Sequence, residues 1–274
     1  MNDNRNAESS DMKEFFSGEK LYGDDFAPSD IEAWFKDEEN GYFNLLSSSH
    51  GSYEYAYNAL NMEHGFRFLP DGRFDDVLGV GSAYGQEFMP IADKCSRITI
   101  LEPSEDFQGH EIGGVPVDYI KPRSDGILPF KDASFNLITC FGVLHHIPNV
   151  STVINELYRC LRPNGCLLLR EPITSMGDWR FPRNGLTKRE RGIPLEIFSG
   201  IIIKAGFKII QKKKCVFSLT SRLKYIMKRP VYNSAFAVLF DSLLCSFPFW
   251  PDRYHPDNYY HKLRPTSVFF VLIK

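Results

Sequence analysis

The sequence lacks the features that would set it apart from ordinary globular proteins. None of its six cysteines forms a Cys-x-x-Cys pair, so we expect reduced thiols in a cytoplasmic protein without a disulfide framework. The first 16 residues hold no apolar stretch of the kind found in secretory signals. The net charge is only −2 over 274 residues, which excludes a chain-wide basic surface for duplex nucleic acid.

Short apolar segments alternate with amphipathic ones over most of the chain. This alternation predicts an α/β fold with a doubly wound, mostly parallel seven-stranded sheet and an antiparallel C-terminal hairpin. The predicted strands are residues 76–80, 97–101, 116–120, 135–140, 165–169, 207–219 and 266–274. The predicted helices between them are residues 86–93, 151–161 and 195–205, with Ser151 as the N-cap of the second.

Three further segments flank or interrupt this pattern. Residues 1–70 read as a disordered tail followed by a helical cap, with a helix that starts near Ile31 behind Ser29 or Asp30. Residues 71–274 form the main domain. Within it, residues 220–265 form an insertion at the tip of the last hairpin, for which a lid is the first interpretation.

A glycine-rich turn follows the first predicted strand. Glycines let the backbone pass close to a ligand and leave a helix N-terminus facing it. Glu102 ends the second predicted strand, where a carboxylate can accept hydrogen bonds from both ribose hydroxyls of a nucleoside. For a dinucleotide, a third glycine is expected where Tyr84 stands, and Gly85 comes one residue late. The pattern therefore favours a nucleoside other than NAD.

Five segments in chain order carry a family resemblance. They are VLGVGSAYG (77–85), ILEPS (100–104), ILPFKDASFNLI (127–138), FGVLHH (141–146) and LRPNG (161–165). Together they resemble the class I S-adenosylmethionine-dependent methyltransferases, in particular the small-molecule branch with Val-Leu-His-His after the fourth strand. The resemblance covers residues 73–215 and the last strand, and it implies a Rossmann-like sheet and S-adenosyl-L-methionine as cofactor.

The resemblance also implies cofactor-binding residues. The backbone turn would lie under the methionine end, Glu102 would hold the ribose, and Phe141 would face the sulfonium or pack the pocket. Asp125 would lie near the adenine amine, or act only as a polar turn residue. The implied cofactor-binding set is Gly79, Gly81, Ala83, Gly85, Glu102, Asp125, Gly126 and Phe141. The family usually has an acid where Gly79 stands, and Glu87 is the candidate substitute.

His145 and His146 follow the fourth predicted strand and are the candidate acid–base residues. A sulfonium donor is already activated, so the chain must position the acceptor and remove one proton, a task that suits an imidazole. Glu171, past the next strand, is the candidate that orients His145. The alternative is that one of the two histidines caps a helix or packs structurally, which we expect of His146 more than of His145. We expect no metal, since adjacent histidines point apart and no third ligand has suitable spacing.

The loop of residues 174–194 is rich in arginine and follows Glu171. Arg180 and Arg183 are candidate contacts for an anionic acceptor such as a phosphate-linked sugar, because guanidinium groups match oxyanions. Trp179 is a candidate sugar-stacking residue. A solvated charged loop and simple packing of the tryptophan are the alternatives. The segment REPITSMGDWR also has a general likeness to methyltransferases of polysaccharide gene clusters.

The insertion and its approach combine cations with apolar residues. Residues 208–229 hold eight lysines and arginines and no acid, and residues 231–250 are largely apolar. A helical lid over the acceptor pocket, a peripheral contact of residues 208–250 with anionic lipid, and a dimer surface are the three interpretations, in that order.

The function that the sequence favours is S-adenosylmethionine-dependent methyl transfer to a small polar acceptor, with O-methylation of a sugar or glycan precursor as the specific expectation. The alternatives are an NAD-dependent dehydrogenase or epimerase, and a non-catalytic nucleoside-binding protein of the same fold. Methylation of nucleic acid is disfavoured, since no Asn/Asp-Pro-Pro-Tyr/Phe or Pro-Cys motif is present.

Overall fold

A computed structural model describes residues 12–47, 54–223 and 229–274 of the chain. Its strands are β1 Val77–Val80, β2 Ile98–Leu101, β3 Glu111–Ile112, β4 Val115–Ile120, β5 Phe135–Phe141, β6 Leu161–Pro172, β7 Lys208–Phe217 and β8 Pro265–Ile273. Its α-helices are α1 Lys13–Ser17, α2 Pro28–Ser47, α3 Asn58–His64, α4 Val150–Cys160, α5 Leu195–Lys204, α6 Ser218–Arg222 and α7 Ala235–Cys245.

All eight strands form one sheet in the order β3-β4-β2-β1-β5-β6-β8-β7. The five strands from β4 to β6 are parallel, and β8 runs antiparallel between β6 and β7. The direction of winding reverses between β1 and β5, which is the place where open α/β sheets bind ligands. The predicted fold class, Rossmann-like with an antiparallel C-terminal hairpin, is confirmed.

The central strands are buried on both faces because helices cover both sides of the sheet. Leu137 and Leu168 face a core that includes Leu60 of α3. Ile138, between them in sequence, faces the opposite core with Leu157 of α4. This alternation explains why the sequence shows near-continuous apolar segments here rather than a polar–apolar pattern.

Two elements differ from the predicted ones. The sheet has an eighth strand, since β3 pairs antiparallel with β4 around the turn at Gly113 and Gly114, both with positive φ. The segment Gln86–Lys94 is a 3-10 helix. Pro90 lies inside it and lacks the N–H that an α-helical hydrogen bond needs.

The N-terminal segment packs directly on the sheet domain. Helix α2 begins at Pro28, so Ser29 and Asp30 lie in its first turn and do not cap it. The prediction that Ser151 caps α4 is also wrong, because that helix begins one residue earlier. Instead, the backbone N–H and hydroxyl of Ser151 both donate to the carboxylate of Asp24, at 2.7 and 2.5 Å. The predicted disordered tail lies almost wholly outside the described residues.

The insertion packs beside the last hairpin. Helix α7 contacts β7 and α3. Its buried Asp241 accepts hydrogen bonds from the backbone N–H groups of Val216 and Phe217, at 2.9 and 2.8 Å. These bonds fix the helix on the end of β7, where a positive φ at Val216 turns the chain. None of the described helices is long and apolar enough to cross a membrane.

Candidate cofactor and acceptor site

A crevice opens at the C-terminal ends of the parallel strands, at the point where the winding reverses. Gly81 after β1, Glu102 after β2 and Val143 after β5 lie on its wall. It encloses about 1140 Å³ of open space, part of which is continuous with solvent. Most other wall residues on the sheet side are apolar, among them Leu128 and Ile147. A site of this size, apolar with a few polar groups, is typical of small-molecule binding.

The turn after β1 has a conformation that tolerates few side chains. Gly81 and Gly85 have φ values of +59° and +66°. A Cβ at Gly81 would lie 2.6 Å from Cγ2 of Val143, and one at Gly85 would lie 2.2 Å from Cδ1 of Ile112. Ala83 also has a positive φ, of +47°. The turn therefore brings bare backbone to the crevice at Gly81, whereas Ala83 and Gly85 do not line it.

Gly79 has a different role. A Cβ at this position would lie 2.3 Å from the hydroxyl of Ser82 and 2.8 Å from the ring of Phe88. No acid fits where the resembled family usually carries one. Glu87, the candidate substitute, is buried just beyond the turn, with the hydroxyl of Thr139 at 3.5 Å. Burial raises the pKa of Glu87 to about 7.

Glu102 lies where the sequence predicts a ribose-binding carboxylate. It lines the crevice, and its two oxygens accept hydrogen bonds from the backbone N–H groups of Ala83 and Ser104, at 2.9 and 3.3 Å. Burial raises its pKa, although these two hydrogen bonds oppose the effect. The carboxylate thus links the glycine turn to the end of β2 and holds its oxygens beside the crevice.

The predicted adenine contacts separate in the structure. Gly126 lines the crevice. Asp125 does not, because its carboxylate forms a bidentate pair with the guanidinium of Arg123 and accepts the backbone N–H of Ile127. The bonds from Arg123 keep the pKa of Asp125 below its usual range. The carboxylate of Asp125 therefore bonds within its own turn, as in the alternative interpretation, and its role near the adenine stays a prediction.

Helix α2 forms the opposite wall of the crevice, which the sequence did not predict. Phe35, Glu38 and Glu39 line the cavity from this helix. The indole N–H of buried Trp34 donates to the carbonyl of His146 at 2.8 Å and so joins the helix to the histidine pair. The acid-rich N-terminal pattern indicated only a covering helix, since nothing in it specified which face would meet the site.

His145 and His146 occupy different environments. The ring of His146 lines the crevice, and its Nδ1 lies 2.8 Å from a carboxylate oxygen of Glu38. The ring of His145 is buried behind it, with Nδ1 2.8 Å from Glu171 and Nε2 3.5 Å from Glu190. Burial alone would lower the pKa of His145, but its bonds to the two carboxylates outweigh this and raise the pKa to about 9. The two carboxylates therefore favour the protonated form of His145.

Glu171 contacts His145 as the sequence predicted, but its main role is structural. One of its oxygens accepts the backbone N–H groups of Val143 and Leu144, at 2.8 and 2.9 Å. The other accepts from the ring of His145. Because the carboxylate is wholly buried, it shapes the loop after β5 and does not reach the crevice.

Glu190 is a site residue that the sequence analysis missed. It is buried beside both histidines and accepts the backbone N–H of Thr187 at 2.9 Å. Burial raises its pKa, but the hydrogen bond from His145 and the charges of both histidines lower it to about 2. Ligand atoms of His145, His146 and Glu190 lie within 4.8 Å of one another, so the expectation that these histidines point apart and lack a third ligand was wrong.

The predicted acceptor contacts are engaged elsewhere. The guanidinium of Arg183 donates to the backbone carbonyls of Met176, Thr187, Lys188 and Glu190 and so ties the loop together. Arg180 pairs with Asp178 at the surface, at 2.6 Å. Neither arginine lines the crevice. The contacts of the two arginines therefore hold the loop together, in place of the predicted contacts with an anionic acceptor.

The two aromatic candidates are packing residues. Trp179 is buried against Phe16, Tyr22 and Tyr254, so it cannot stack on a sugar. Phe141 is packed under the sheet rather than on the crevice wall; its neighbours are Phe66, Phe269 and the guanidinium of Arg170. The insertion also contributes no described residue to the crevice wall, so the lid interpretation of residues 220–265 is not supported; α2 covers the crevice instead.

Comparisons with known proteins agree with this geometry. Residues 78–169 match the model of a methyltransferase domain family. A probable S-adenosylmethionine-dependent methyltransferase of Mycolicibacterium smegmatis is 32% identical over 138 residues, which are 49% of this chain and 52% of that protein. A ubiquinone biosynthesis O-methyltransferase of Pseudomonas entomophila is 29% identical over 94 residues, 32% of this chain and 40% of that one. The chain thus spans about half the length, or less, of these relatives.

Solved structures give the same fold at low identity. The [4+2]-cyclase SpnF aligns with a TM-score of 0.54 and 19% identity, over 88% of this chain and 94% of its own. An S-adenosylmethionine-dependent methyltransferase from Listeria monocytogenes, itself assigned only provisionally, aligns with a TM-score of 0.51 and 13% identity, over 79% and 98%. The expected cofactor, S-adenosylmethionine, is confirmed at the level of this domain family. Residues 78–169 therefore match a methyltransferase domain family, and they lie on a Rossmann-like sheet.

Proposed function

We propose that this chain transfers a methyl group from S-adenosylmethionine to an oxygen atom of a small polar acceptor. The observation that carries the proposal is the position of Glu102. Its carboxylate lies on the crevice wall beside the bare backbone of Gly81, at the point where the winding of the sheet reverses. A nucleoside with two free ribose hydroxyls is the ligand that this pairing recognises.

The residues on the wall fit the whole cofactor. Gly81 offers backbone without a side chain, and Glu102 offers two acceptor oxygens. The segment from Gly126 to Leu128 offers an apolar surface for a purine ring. When bound, the cofactor supplies an activated methyl group on a sulfonium centre and is converted to S-adenosylhomocysteine. The chain has to orient the acceptor, exclude water and remove one proton.

His146 is the better candidate for the proton acceptor, and His145 is the supporting residue. His146 lines the crevice, whereas both ring nitrogens of His145 face buried carboxylates. These carboxylates favour a ring that already carries its proton, which makes His145 the poorer proton acceptor. Glu38 holds the Nδ1 side of His146 and stabilises the imidazolium that forms when the acceptor hydroxyl gives up its proton. The methyl–oxygen bond forms as the methyl–sulfur bond breaks.

The acceptor that we propose is a hydroxyl of a sugar or glycan precursor. Support comes from the likeness of residues 170–180 to polysaccharide-cluster methyltransferases. The fold alone does not fix the reaction, since one structure with the same fold is a cyclase. A dehydrogenase or a non-catalytic nucleoside-binding protein remain the competing functions.

Calorimetric titration separates these functions. We expect S-adenosylhomocysteine to bind and NAD not to bind. Glu102→Gln should weaken S-adenosylhomocysteine binding at least ~10-fold, because a charge-assisted contact to the ribose is lost. The matched control is Glu105→Gln, on the exposed surface a few residues away, which should bind as the wild type does. Tight NAD binding, or equal affinity of both variants, contradicts the proposal.

Turnover tests the assignment of the histidines. With radiolabelled S-adenosylmethionine and a panel of sugar phosphates and nucleotide sugars, His146→Gln should lower kcat by roughly 10²–10⁴ and leave the affinity for S-adenosylhomocysteine unchanged. Full turnover by His146→Gln would remove this residue from the mechanism. Binding of S-adenosylhomocysteine without methyl transfer to any acceptor in a wide panel would favour the non-catalytic function.

A further inference from the structure

A second cavity lies at the same edge of the sheet, beyond the end of β6. Its wall includes Thr174 after β6, Lys214 of β7, Arg264 just before β8, and Trp250 and Arg253 of the insertion. It holds about 490 Å³ of open space. None of its wall residues lines the crevice described above, and none belongs to the histidine cluster.

Arg264 is a buried cation in this wall that forms no ion pair with the described residues, although the charge of Asp252 on the same wall favours its protonated form. Its side chain is 96% buried, since only 4% of the residue is exposed. One terminal nitrogen, Nη2, donates to the carbonyl of Tyr254 at 3.2 Å, while the other, Nη1, is buried without a hydrogen-bond partner. Among the described residues no carboxylate lies within 4 Å of it, as Arg264 forms none of the ion pairs there. Burial consequently lowers the pKa of Arg264.

The other charges around the cavity are already balanced. Lys214 pairs with Asp252 at 3.1 Å, and Arg253 pairs with Asp257 at 2.8 Å. Both acids are therefore engaged; the Arg253 pair is largely exposed to solvent, whereas Lys214 is partly buried. The cavity keeps one net positive charge from Arg264, which is the buried member of the group.

Other buried arginines show how unusual this is. Arg191 is also fully buried and has no carboxylate partner, but its guanidinium donates to five backbone carbonyls between Tyr22 and Pro148. Arg170 bonds to Asn61 and lies over the ring of Tyr57. A buried guanidinium without such hydrogen bonds destabilises the fold, and an anion in contact with it would offset this effect.

We propose that this cavity binds an oxyanion of the phosphate class, with Arg264 as the principal contact and Lys214 as a second one. A planar guanidinium presents paired N–H donors that match two oxygens of a phosphate, and Arg264 has one nitrogen, Nη1, that no described group of the protein uses. The anion is either free phosphate or the phosphate group of a larger molecule. The proposal stands independently of methyl transfer, because it uses no residue of the cofactor crevice.

Calorimetry and thermal unfolding of the chain test the proposal. Inorganic phosphate should bind, and at ten times its Kd it should raise Tm by about 3 °C over sodium chloride of equal ionic strength. Glucose 1-phosphate is the second probe. Binding at least tenfold tighter than phosphate indicates a site for a phosphate ester, and equal or weaker binding indicates a site for the free ion.

Arg264→Met is the decisive variant. It should lose at least tenfold in phosphate affinity and lose the specific Tm increase. Without phosphate its Tm should equal or exceed that of the wild type, since an unpaired buried charge has been removed and the carbonyl of Tyr254 keeps the N–H of Ser175 at 2.9 Å. The control Arg162→Met removes a surface arginine paired with Asp76 and should keep the phosphate response.

A second variant covers the case in which Arg264→Met does not fold. Lys214→Gln changes a half-exposed residue of β7 and should weaken phosphate binding about threefold to tenfold. The proposal is overturned if phosphate stabilises the wild type no more than chloride does. It is equally overturned if Arg264→Met, or Lys214→Gln where only that variant folds, responds to phosphate as the wild type does.

Discussion

The buried acid behind the glycine turn predicts an unusual dependence of stability on pH. Burial raises the pKa of Glu87 from 4.5 to about 7, so the folded protein prefers the neutral form of this side chain. The raised pKa of Glu87 stabilises the fold fully at pH values below 4.5, the pKa of this side chain in the unfolded chain. This stabilisation is lost as the pH rises through 7. A difference of about 2.5 units at 1.36 kcal/mol per unit amounts to roughly 3 kcal/mol, most of it lost between pH 5 and pH 8.

Glu87→Gln isolates this contribution, because glutamine has the same shape and stays neutral. We expect the free energy of unfolding, measured in urea at pH 5, 6, 7 and 8, to fall more steeply in the wild type than in the variant. The difference between the two proteins should change by about 2–3 kcal/mol from pH 5 to pH 8. Other titrating groups act on both proteins equally and cancel. Glu111→Gln, on the exposed surface, is the control. Parallel curves for Glu87→Gln and the wild type would refute the reasoning.

Three further predictions concern other parts of the molecule. Arg191→Met should lower the free energy of unfolding in urea by about 3–5 kcal/mol, because five backbone carbonyls lose their donors, whereas Arg67→Met at the surface should cost under about 1 kcal/mol. The wild type should sediment with anionic vesicles, because the exposed face of α7 is apolar. The double variant Phe236→Ser, Leu243→Ser should no longer sediment, whereas the control Phe181→Ser should behave as the wild type does. If the wild type itself does not sediment, the proposed lipid contact is wrong. Chelators should leave methyl transfer unchanged if His146 acts as a proton acceptor; loss of turnover that Zn²⁺ restores would assign the histidine cluster to a metal instead.

The sheet was predictable because its signals are local. Each central strand is a short apolar segment bounded by turn residues, and the helices between them have regular spacing. The glycine turn and Glu102 were predictable for a related reason, since both follow directly from their position at a strand end. Strand β3 was missed because two residues and a Gly-Gly turn give almost no pattern.

The acceptor side of the site depended on contacts that sequence spacing does not encode. Glu38 lies 108 residues from His146, and Glu190 lies 45 residues from His145, counted as 146 − 38 and 190 − 145. Arginines with nearby backbone carbonyls look the same in sequence as arginines that await a ligand. The sequence analysis therefore assigned Arg183 to the acceptor, and it contained nothing that would single out Arg264.

The wall that α2 supplies has a consequence for the choice of fragments in which this protein is studied. The region that matches known methyltransferases starts at residue 78 and omits Phe35, Glu38 and Glu39. A fragment limited to residues 78–169 would keep every glycine of the turn, but its crevice would lack the wall that α2 supplies. If the crevice binds the proposed cofactor, α2 is the element whose contacts with the sheet domain would set how quickly that ligand exchanges.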